Sequence, residues 1–283
     1  MGKFSHILLA VDLDGTFFGT GVSLLEKNLQ AIDHFKENGG YFTVNTGRMY
    51  THLLRLLPTA SPICNAPVIT SNGAYICDFC TGDVLQSTKM DPLSAKEAVM
   101  YLQKTHPHVG VRISTADGFL VNANCMSPRI RKDVQSDTFV GEVIPAEEWQ
   151  TENAEWYKLV VRGEAEELSL IREELYHRYQ DVFAFAMSAP TLFEMNDKRC
   201  SKATGLSFVA DHLQAGTGQK MITVAMGDQE NDLPMMMSAD LSACPQNATD
   251  EVKALATMHL CHHTEGAVAH LIDYLDKIIP FHQ

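Results

Sequence analysis

Two carboxylates stand at the end of an apolar segment near the start of the chain. Asp12 and Asp14 follow the run ILLAV, with only Leu13 between them and Gly15 directly after. Side chains two residues apart on an extended strand point the same way, so we expect both carboxylates to face one site. At ~4 Å and an effective dielectric of ~20, two such charges repel by about 4 kcal/mol. A stable pair therefore needs a cation or a shared proton, whereas an acidic loop or a helix cap also explains D-x-D-G taken alone.

A second group of polar residues has the types that bind phosphate. In VNTGR, residues 44–48, Thr46 and the backbone N–H of Gly47 follow a predicted strand and precede a helix, which suits them to phosphate oxygens. Lys202 stands at a predicted helix start, where its ammonium could neutralise a phosphoryl group, although Lys198 is a nearby competitor. Taken singly, the first is an ordinary glycine-containing loop and the second a surface lysine.

A third group suits a hard metal ion. The segment VAMGDQENDLPMM ends a predicted strand at Gly227 and places Asp228, Asn231 and Asp232 in the next five positions. Carboxylates of this kind suit magnesium, which typically keeps one or two carboxylates together with waters and phosphate oxygens. The alternative is a solvated loop that caps the following helix through Asn231 or Asp232.

Short apolar segments alternate with helical patterns in both terminal parts of the chain. The segments at 6–11, 41–44, 67–70 and 221–226 indicate buried strands, and the residues between them repeat apolar positions at helical spacing. This pattern predicts a parallel sheet covered by helices on both faces. Ligands of open parallel sheets bind outside the carboxyl ends of the strands, which is where the polar groups above would meet.

The pattern changes between residues 83 and 190. Two helical segments stand there among several extended ones, after a hairpin predicted around Thr81 and Gly82. The change predicts a separate α+β unit. The fold class we predict is α/β, with a Rossmann-like parallel-sheet core formed by 1–82 and 191–283 and an inserted α+β domain at 83–190.

Composition excludes several classes of partner. The chain has 22 Lys and Arg against 35 Asp and Glu, a net charge of −13, so its long-range field repels nucleic acid and anionic membranes. The longest apolar runs fall far short of the ~18 residues that a membrane span needs. Because MGKFSHILLA lacks the features of a secretion signal, we expect a cytoplasmic location. Seven cysteines at irregular spacing predict free thiols rather than a disulfide framework or a zinc site.

The combination of these motifs, in this order, resembles the haloacid dehalogenase (HAD) superfamily and, within it, the Cof-type phosphatases that carry a type IIB cap. The four motifs of that superfamily stand here as DLDGT at 12–16, Thr46 in NTGR, Lys202, and GDQEND at 227–232. The segments SNGA, YK before LVV, and FEMND with the following SK are also similar to this subgroup, so the resemblance spans nearly the whole chain.

The resemblance implies a role for each acidic residue of the first and last motifs. Asp12 would be the nucleophile that forms an aspartyl-phosphate, and Asp14 would protonate the leaving alcohol and then deprotonate the attacking water. Mg²⁺ would be held by the Asp12 carboxylate, the Asp14 backbone carbonyl and the Asp228 carboxylate. The metal would thereby resolve the repulsion between the first two carboxylates.

The remaining motif residues would hold the phosphoryl group. The resemblance implies that Thr46, the Gly47 N–H, Lys202 and Asn231 contact its oxygens. Asp232 would stand behind them and orient Lys202 or metal-bound waters.

The inserted domain would be a cap that excludes water and contacts the leaving group, so substrate choice should reside there. Arg48 could reach either the substrate or the cap. The sequence departs from the common family pattern at FF, residues 17–18, and at CPQNA, residues 244–248, without touching the four motifs. The polar candidates in the cap, which a solvated surface explains equally well, are Arg112, Asn122, Asn124, Arg129 and Arg131.

The resemblance therefore implies a magnesium-dependent phosphatase of small phosphorylated metabolites, such as sugar phosphates, nucleotides or pyridoxal phosphate. A small-molecule phosphate ester is the expected partner, and the protein would be a monomer or a small homo-oligomer. Two alternatives stay open at this point. One is a phosphosugar mutase that shares the aspartyl-phosphate step, and the other is a non-catalytic protein that binds phosphorylated metabolites.

Overall fold

Strands and helices alternate along the computed structural model, which describes residues 2–57, 63–136 and 139–279. The strands are β1 (Ile7–Val11), β2 (Tyr41–Val44), β3 (Val68–Thr70), β4 (Tyr75–Cys77), β5 (Val84–Ser87), β6 (Gly110–Thr115), β7 (Phe119–Asn122), β8 (Gly141–Ile144), β9 (Trp156–Arg162), β10 (Phe183–Ala189), β11 (Leu192–Asp197), β12 (Ile222–Met226), β13 (Leu241–Cys244) and β14 (Met258–His259). The helices are α1 (Glu26–Glu37), α2 (Tyr50–Leu56), α3 (Pro92–Thr105), α4 (Pro128–Val134), α5 (Ala165–Tyr179), α6 (Lys202–Thr217), α7 (Leu233–Ser238), α8 (Asp250–Leu255) and α9 (Ala267–Ile278).

The chain divides into two compact units. The first comprises residues 1–47, 56–86 and 201–283, and the second comprises 48–55 and 87–200. The limits predicted for the inserted segment, 83–190, differ from this division. The largest difference is at residues 191–200, which belong to the second unit because β11 pairs antiparallel with both β10 and β9 in its sheet. Whether the two units act as catalytic core and cap stays a prediction.

A five-stranded parallel sheet forms the centre of the first unit, in the order β14-β13-β12-β1-β2. All five residues of β1 are buried, which explains why ILLAV is apolar throughout rather than alternating. Val11 is in register with both Met226 and Val44, so β1, β2 and β12 end at the same level. The predicted parallel-sheet α/β fold is confirmed, and the carboxyl ends of β1, β2 and β12 form one continuous edge.

Helices pack against the central sheet and bury its side chains. Leu8 and Ala10 of β1 pack with Leu206 and Val209 of α6 and with Met235 of α7 in one buried cluster. The helices α1 and α9 pack against each other elsewhere in the same unit. The apolar residues predicted at helical spacing therefore lie on helix faces that are buried against the sheet.

A small antiparallel sheet, β3-β4-β5, completes the first unit. The hairpin predicted around Thr81 and Gly82 is confirmed, since Gly82 adopts a φ of 77° between β4 and β5. A single bridge from Asn45 to Ile69 joins the end of β2 to β3 in parallel. This bridge brings the residues after β3 to the edge where β1, β2 and β12 end.

The second unit contains a six-stranded sheet, in the order β10-β11-β9-β6-β7-β8. Its core is a cluster that includes Val111 and Ile113 of β6 and Leu168 and Ile171 of α5. The helix α4 and the strand β8 were not predicted from the sequence. β8 presents GEVI with three exposed positions and has neither an apolar run nor a clear alternation. Within the described residues, no helix has the length and apolarity required to cross a bilayer.

Candidate active site

A buried lysine joins two aspartates at the carboxyl edge of the central sheet. Lys202 Nζ donates hydrogen bonds to Asp12 Oδ1 and to Asp232 Oδ1, each at 2.5 Å. Its side chain is 0% exposed, as is that of Asp232. Lys198, the competing candidate, is exposed and lies in the second unit. Lys202 is therefore the lysine that the fold places beside Asp12.

Asp228 lies in the same buried cluster, and donors surround its carboxylate. Thr16 Oγ1 donates to Asp228 Oδ1 at 2.8 Å, and Gln229 Nε2 lies 3.0 Å from Asp228 Oδ2. The second oxygen of Asp232, Oδ2, accepts the backbone N–H groups of Asp228 and Gln229 at 2.8 and 2.9 Å. Asp232 is thus held through both oxygens, by Lys202 on one side and by the loop after β12 on the other.

The cluster contains more negative than positive charge. Three buried carboxylates, Asp12, Asp228 and Asp232, lie in this cluster with the ammonium of Lys202, which donates to Asp12 and Asp232. Burial raises the pKa of Asp12 well above its ordinary value, with Lys202 opposing the shift, and burial together with the Asp232 charge raises the pKa of Asp228 to about 6. Although burial alone would lower it, the carboxylates of Asp12 and Asp232 raise the pKa of Lys202. The surplus is the charge that a bound cation would neutralise.

The donor set of this cluster fits magnesium. One carboxylate oxygen from each of Asp12, Asp228 and Asp232 lies within 4.8 Å of the others. Hard oxygen donors at this spacing, with too little positive charge among them, are what a divalent cation with oxygen preference requires. Lys202 and two backbone N–H groups hold the two oxygens of Asp232, whereas those of Asp228 accept from the side chains of Thr16 and Gln229.

Asp14 does not lie in the buried cluster. The strand ends at Val11, as predicted, but residues 13–17 form an irregular turn rather than an extended continuation, and Asp14 is exposed there. Gly15 has a φ of 82°, and a Cβ added to it would lie 2.5 Å from Asp228 Oδ2. Glycine is required there both by the backbone and by the close approach of Asp228. The two carboxylates thus differ in burial, and the part of Asp14 as proton donor and carbonyl ligand stays a prediction.

Two residues that the sequence analysis did not select hold this turn in place. Asn247 Nδ2 donates to the carbonyl of Gly15 at 2.7 Å, and its Oδ1 accepts the backbone N–H of His263 at 3.2 Å. His263 Nδ1 lies 2.7 Å from the carbonyl of Phe18. The only signal for Asn247 was its place in CPQNA, where the chain departs from the common family pattern. Nothing in the sequence indicated His263.

The predicted phosphate-binding residues converge at the same edge. Thr46 is buried two residues after β2, and its N–H donates to Ile69 O at 2.9 Å. Gly47 follows it and is half-buried. Asn231, in the loop after β12, is also half-buried, and its Nδ2 lies 3.3 Å from Asn72 Oδ1. The N–H of Asn72 also donates to the carbonyl of Thr46. Asn72, which was not selected as a site residue, therefore contacts both Thr46 and Asn231.

Two polar candidates of the inserted segment, Arg112 and Asn122, have structural partners within the second unit. Arg112 Nη1 donates to Asp133 Oδ2 at 3.2 Å. Asn122 is buried, donates to Gln103 at 2.9 Å and accepts the backbone N–H of Asn124. Arg48, whose role was left open, also belongs to this unit. These contacts account for Arg112 and Asn122 as parts of the scaffold.

The seven cysteines are free thiols, as expected. Burial raises the pKa of Cys64, Cys77 and Cys125 to about 12, which makes these thiols unreactive at neutral pH. Among the described residues, the group that could hold a metal contains aspartates alone.

Comparison with known proteins places the chain among relatives of one kind. The sequence profile of the haloacid dehalogenase-like hydrolases matches residues 9–272. The pyridoxal phosphate phosphatase of Escherichia coli is 24% identical over 94% of this chain and 97% of its own length. A 5-amino-6-(5-phospho-D-ribitylamino)uracil phosphatase of Bacillus subtilis is 28% identical over 94% of this chain and 97% of its own. A solved sugar phosphatase of HAD subclass IIB superimposes with a TM-score of 0.77 over 96% of this chain and 100% of that one, at 18% identity, and so shares its fold.

Proposed function

The chain belongs to the haloacid dehalogenase-like hydrolase family, and from this premise we propose that it is a magnesium-dependent phosphatase of small phosphorylated metabolites. The match along residues 9–272 confirms the family that the four motifs predicted. Within this proposal, the first unit is the catalytic core and the second is the inserted cap domain.

One observation carries the proposal. Asp12, Asp228 and Asp232 are buried together with Lys202 at the carboxyl edge of the parallel sheet. Burying carboxylates without compensation is costly, and a scaffold gains nothing from a surplus of them. A site for a divalent cation and a phosphoryl group accounts for both the surplus and its place in the fold.

Asp12 is the nucleophile in this proposal. Its carboxylate oxygen forms a bond to phosphorus while the bond from phosphorus to the leaving oxygen breaks, and Asp14 gives the leaving alcohol its proton. In the second step a water adds to the same phosphorus and passes its proton to Asp14. The bond from Asp12 to phosphorus breaks, which releases inorganic phosphate and restores both carboxyl groups.

Asp12, Asp228 and the backbone carbonyl of Asp14 would hold Mg²⁺, which supplies neutralising charge to the phosphoryl group when bound. The Lys202 ammonium neutralises a phosphoryl oxygen, and it opposes the rise that burial causes in the pKa of Asp12. Asp232 fixes the Lys202 ammonium, since it accepts a hydrogen bond from it at 2.5 Å. The buried position of Lys202 strengthens each of these charge interactions, because little water screens them.

The remaining groups grip the phosphoryl oxygens. We infer this role for the hydroxyl of Thr46, the N–H of Gly47 and the amide of Asn231. Support comes from their meeting at the same sheet edge as Asp12 and from the contact of Asn231 with the turn beside Thr46. Fixed N–H and O–H donors of this kind cost little reorganisation during the reaction.

The relatives suggest which substrates to test. They are named as phosphatases of pyridoxal phosphate, of HMP-PP and of a phosphorylated ribitylaminouracil. We infer that the substrate is likewise a small phosphate ester, and we include sugar phosphates and nucleotides in the range to be tested.

The test is release of inorganic phosphate from a panel of these compounds by the wild type and by Asp12→Asn, each with Mg²⁺ and with EDTA. We expect turnover of at least one compound by the wild type with Mg²⁺, and none above background by the variant or with EDTA. Turnover by Asp12→Asn within tenfold of the wild type would overturn the nucleophile assignment. Interconversion of hexose phosphates without release of phosphate would replace the phosphatase by a mutase, and binding without any turnover would replace it by a non-catalytic protein.

A further inference from the structure

Three consecutive residues after β3 adopt a left-handed backbone conformation. The φ angles are 50° for Ser71, 57° for Asn72 and 88° for Gly73. Ser71 and Asn72 are 2% and 5% exposed, so the turn is buried. Positive φ is uncommon for residues other than glycine and, when buried and held by its surroundings, it concentrates at functional sites. In the described parts of the chain, Asn153 is the one other non-glycine residue with positive φ.

One side of this turn is pressed against the start of α6, which carries Lys202. A Cβ added to Gly73 would lie 2.2 Å from the carbonyl oxygen of Ser201, the residue before Lys202. The carbonyl of Lys202 is held separately, because Asn45 Nδ2 donates to it at 2.8 Å. The position of the Lys202 backbone therefore depends on the shape of the turn and on the residue after β2.

The other side of the turn holds two of the proposed phosphate-binding residues. The N–H of Asn72 donates to the carbonyl of Thr46 at 3.1 Å. Asn72 Oδ1 accepts a hydrogen bond from Asn231 Nδ2 at 3.3 Å. A single residue thus contacts Thr46 through its backbone and Asn231 through its side chain.

We propose that Asn72 is a positioning residue that sets the orientation of the Asn231 amide and of the Thr46 loop toward the phosphoryl group. The inference rests on the proposed function and goes beyond it, since Asn72 acts through its neighbours. By accepting one hydrogen of the Asn231 NH₂ group, Asn72 Oδ1 fixes the amide plane and leaves the second hydrogen for a phosphoryl oxygen. Asparagine suits this position because it tolerates the left-handed conformation better than most side chains and also carries the acceptor.

The experiment separates the side chain of Asn72 from its backbone conformation. Asn72→Gly keeps access to positive φ but removes the acceptor, whereas Asn72→Ala removes the acceptor and disfavours the conformation. Asn153→Gly is the matched control, because it makes the same replacement at the same φ of 57° in an exposed turn of the second unit. For each protein, kcat, KM, the inhibition constant of inorganic phosphate and the melting temperature are measured with Mg²⁺.

We expect Asn72→Gly to weaken inhibition by inorganic phosphate about five- to tenfold, the effect of one lost hydrogen bond, and to raise KM by a similar factor. Its melting temperature should stay within ~2 °C of that of the wild type, because glycine adopts the turn without strain. Asn72→Ala should show the same kinetic loss together with a melting temperature lower by ~3 °C or more. Asn153→Gly should change neither KM nor the inhibition constant.

A double-mutant cycle with Asn231→Ala provides a readout that a purely structural role would not move. If Asn72 acts through Asn231, the glycine replacement should weaken phosphate inhibition less than twofold once Asn231 is gone. Full additivity of the two losses, or an unchanged inhibition constant in Asn72→Gly, would overturn the inference. These outcomes presuppose a wild type that releases phosphate with Mg²⁺, so failure of the proposed function would be seen first and separately.

Discussion

One buried cluster of charged side chains in each unit invites comparison, because the two clusters differ in their balance of charge. In the first unit, Lys202 pairs with Asp12 and Asp232, and a third carboxylate, that of Asp228, lies in the same cluster. In the second unit, Lys158 pairs with Glu194, and each side chain is 5% exposed. Ser188 donates to the second oxygen of Glu194, so that pair lacks neither charge nor hydrogen bonds.

This difference separates a site from a scaffold. A buried ion pair with equal charges and satisfied oxygens is complete by itself and joins β9 to β11. A buried cluster with surplus carboxylates is incomplete, and burial raises the pKa of Asp12 and Asp228 accordingly. The balance of charge in a buried cluster therefore indicates function more directly than the presence of charge.

Replacement of the two buried lysines by methionine should give the largest difference in activity between the two clusters. Lys202→Met removes the cation beside Asp12 and the proposed phosphate contact, so we expect kcat/KM to fall about a thousandfold or more. Lys158→Met should change kcat/KM by less than ~10-fold, since Lys158 has no part in the proposed chemistry. Steady-state release of phosphate measures both. Equal losses in the two variants would show that charge balance does not distinguish the clusters.

The next largest expected effect is on the free energy of unfolding when the ion pair of the second cluster is disrupted. Lys158→Met leaves the Glu194 carboxylate buried without its cation, which should cost about 3–5 kcal/mol of the free energy of unfolding. The double variant Lys158→Met with Glu194→Leu removes both charges and should recover most of that loss. Urea unfolding monitored by circular dichroism measures the three proteins, and a double variant as unstable as the single one would contradict a self-contained pair.

Magnesium should stabilise the protein through the first cluster alone. At a concentration one hundred times its dissociation constant, a bound ion adds about 2.7 kcal/mol to the free energy of unfolding. We expect Mg²⁺ to raise the melting temperature of the wild type and of Lys158→Ala equally. The rise should be absent in Asp228→Asn, and EDTA should reverse it. A rise that persists in Asp228→Asn would place the ion elsewhere.

Asp240 is an exposed aspartate, and its replacement should change stability less than a change in either buried cluster. The backbone N–H of Thr223 lowers the pKa of Asp240, whose Oδ2 also accepts from Thr223 Oγ1 at 2.8 Å. A lowered pKa means that this stabilisation is complete above the unfolded-state pKa, ~4, and is lost as the pH falls through the folded-state pKa. Asp240→Ala should therefore cost about 0.5–1 kcal/mol at pH 7, with a shrinking difference from wild type below pH ~4. A difference independent of pH would contradict this assignment.

The sequence predicted the parts of the fold that follow from local pattern. The strands β1, β2 and β12 are largely apolar runs, and the polar motif residues follow soon after each strand ends. The sheet edge and the motif residues at it could therefore be predicted together. β8 and α4 escaped prediction because they are short and present few apolar residues to the core.

The finer geometry of the site depends on contacts that a local pattern does not contain. Asp14 lies outside the buried cluster because the strand ends at Val11 and a turn follows. Asn247 reaches Gly15 across 232 positions of sequence. The pairing of Lys158 with Glu194 likewise follows from the order of β9 and β11 in the sheet, which is set by tertiary structure.

The most direct test of the account is to identify the residue that carries the phosphoryl group. The wild type and Asp12→Asn are mixed with a ³²P-labelled substrate found in the panel and Mg²⁺, quenched in acid within milliseconds, and digested for peptide mapping. We predict label on the wild-type peptide that contains Asp12, and none in the variant or with EDTA. Label on a different residue, or turnover by Asp12→Asn within tenfold of the wild type, would contradict the assignment of Asp12 as the nucleophile.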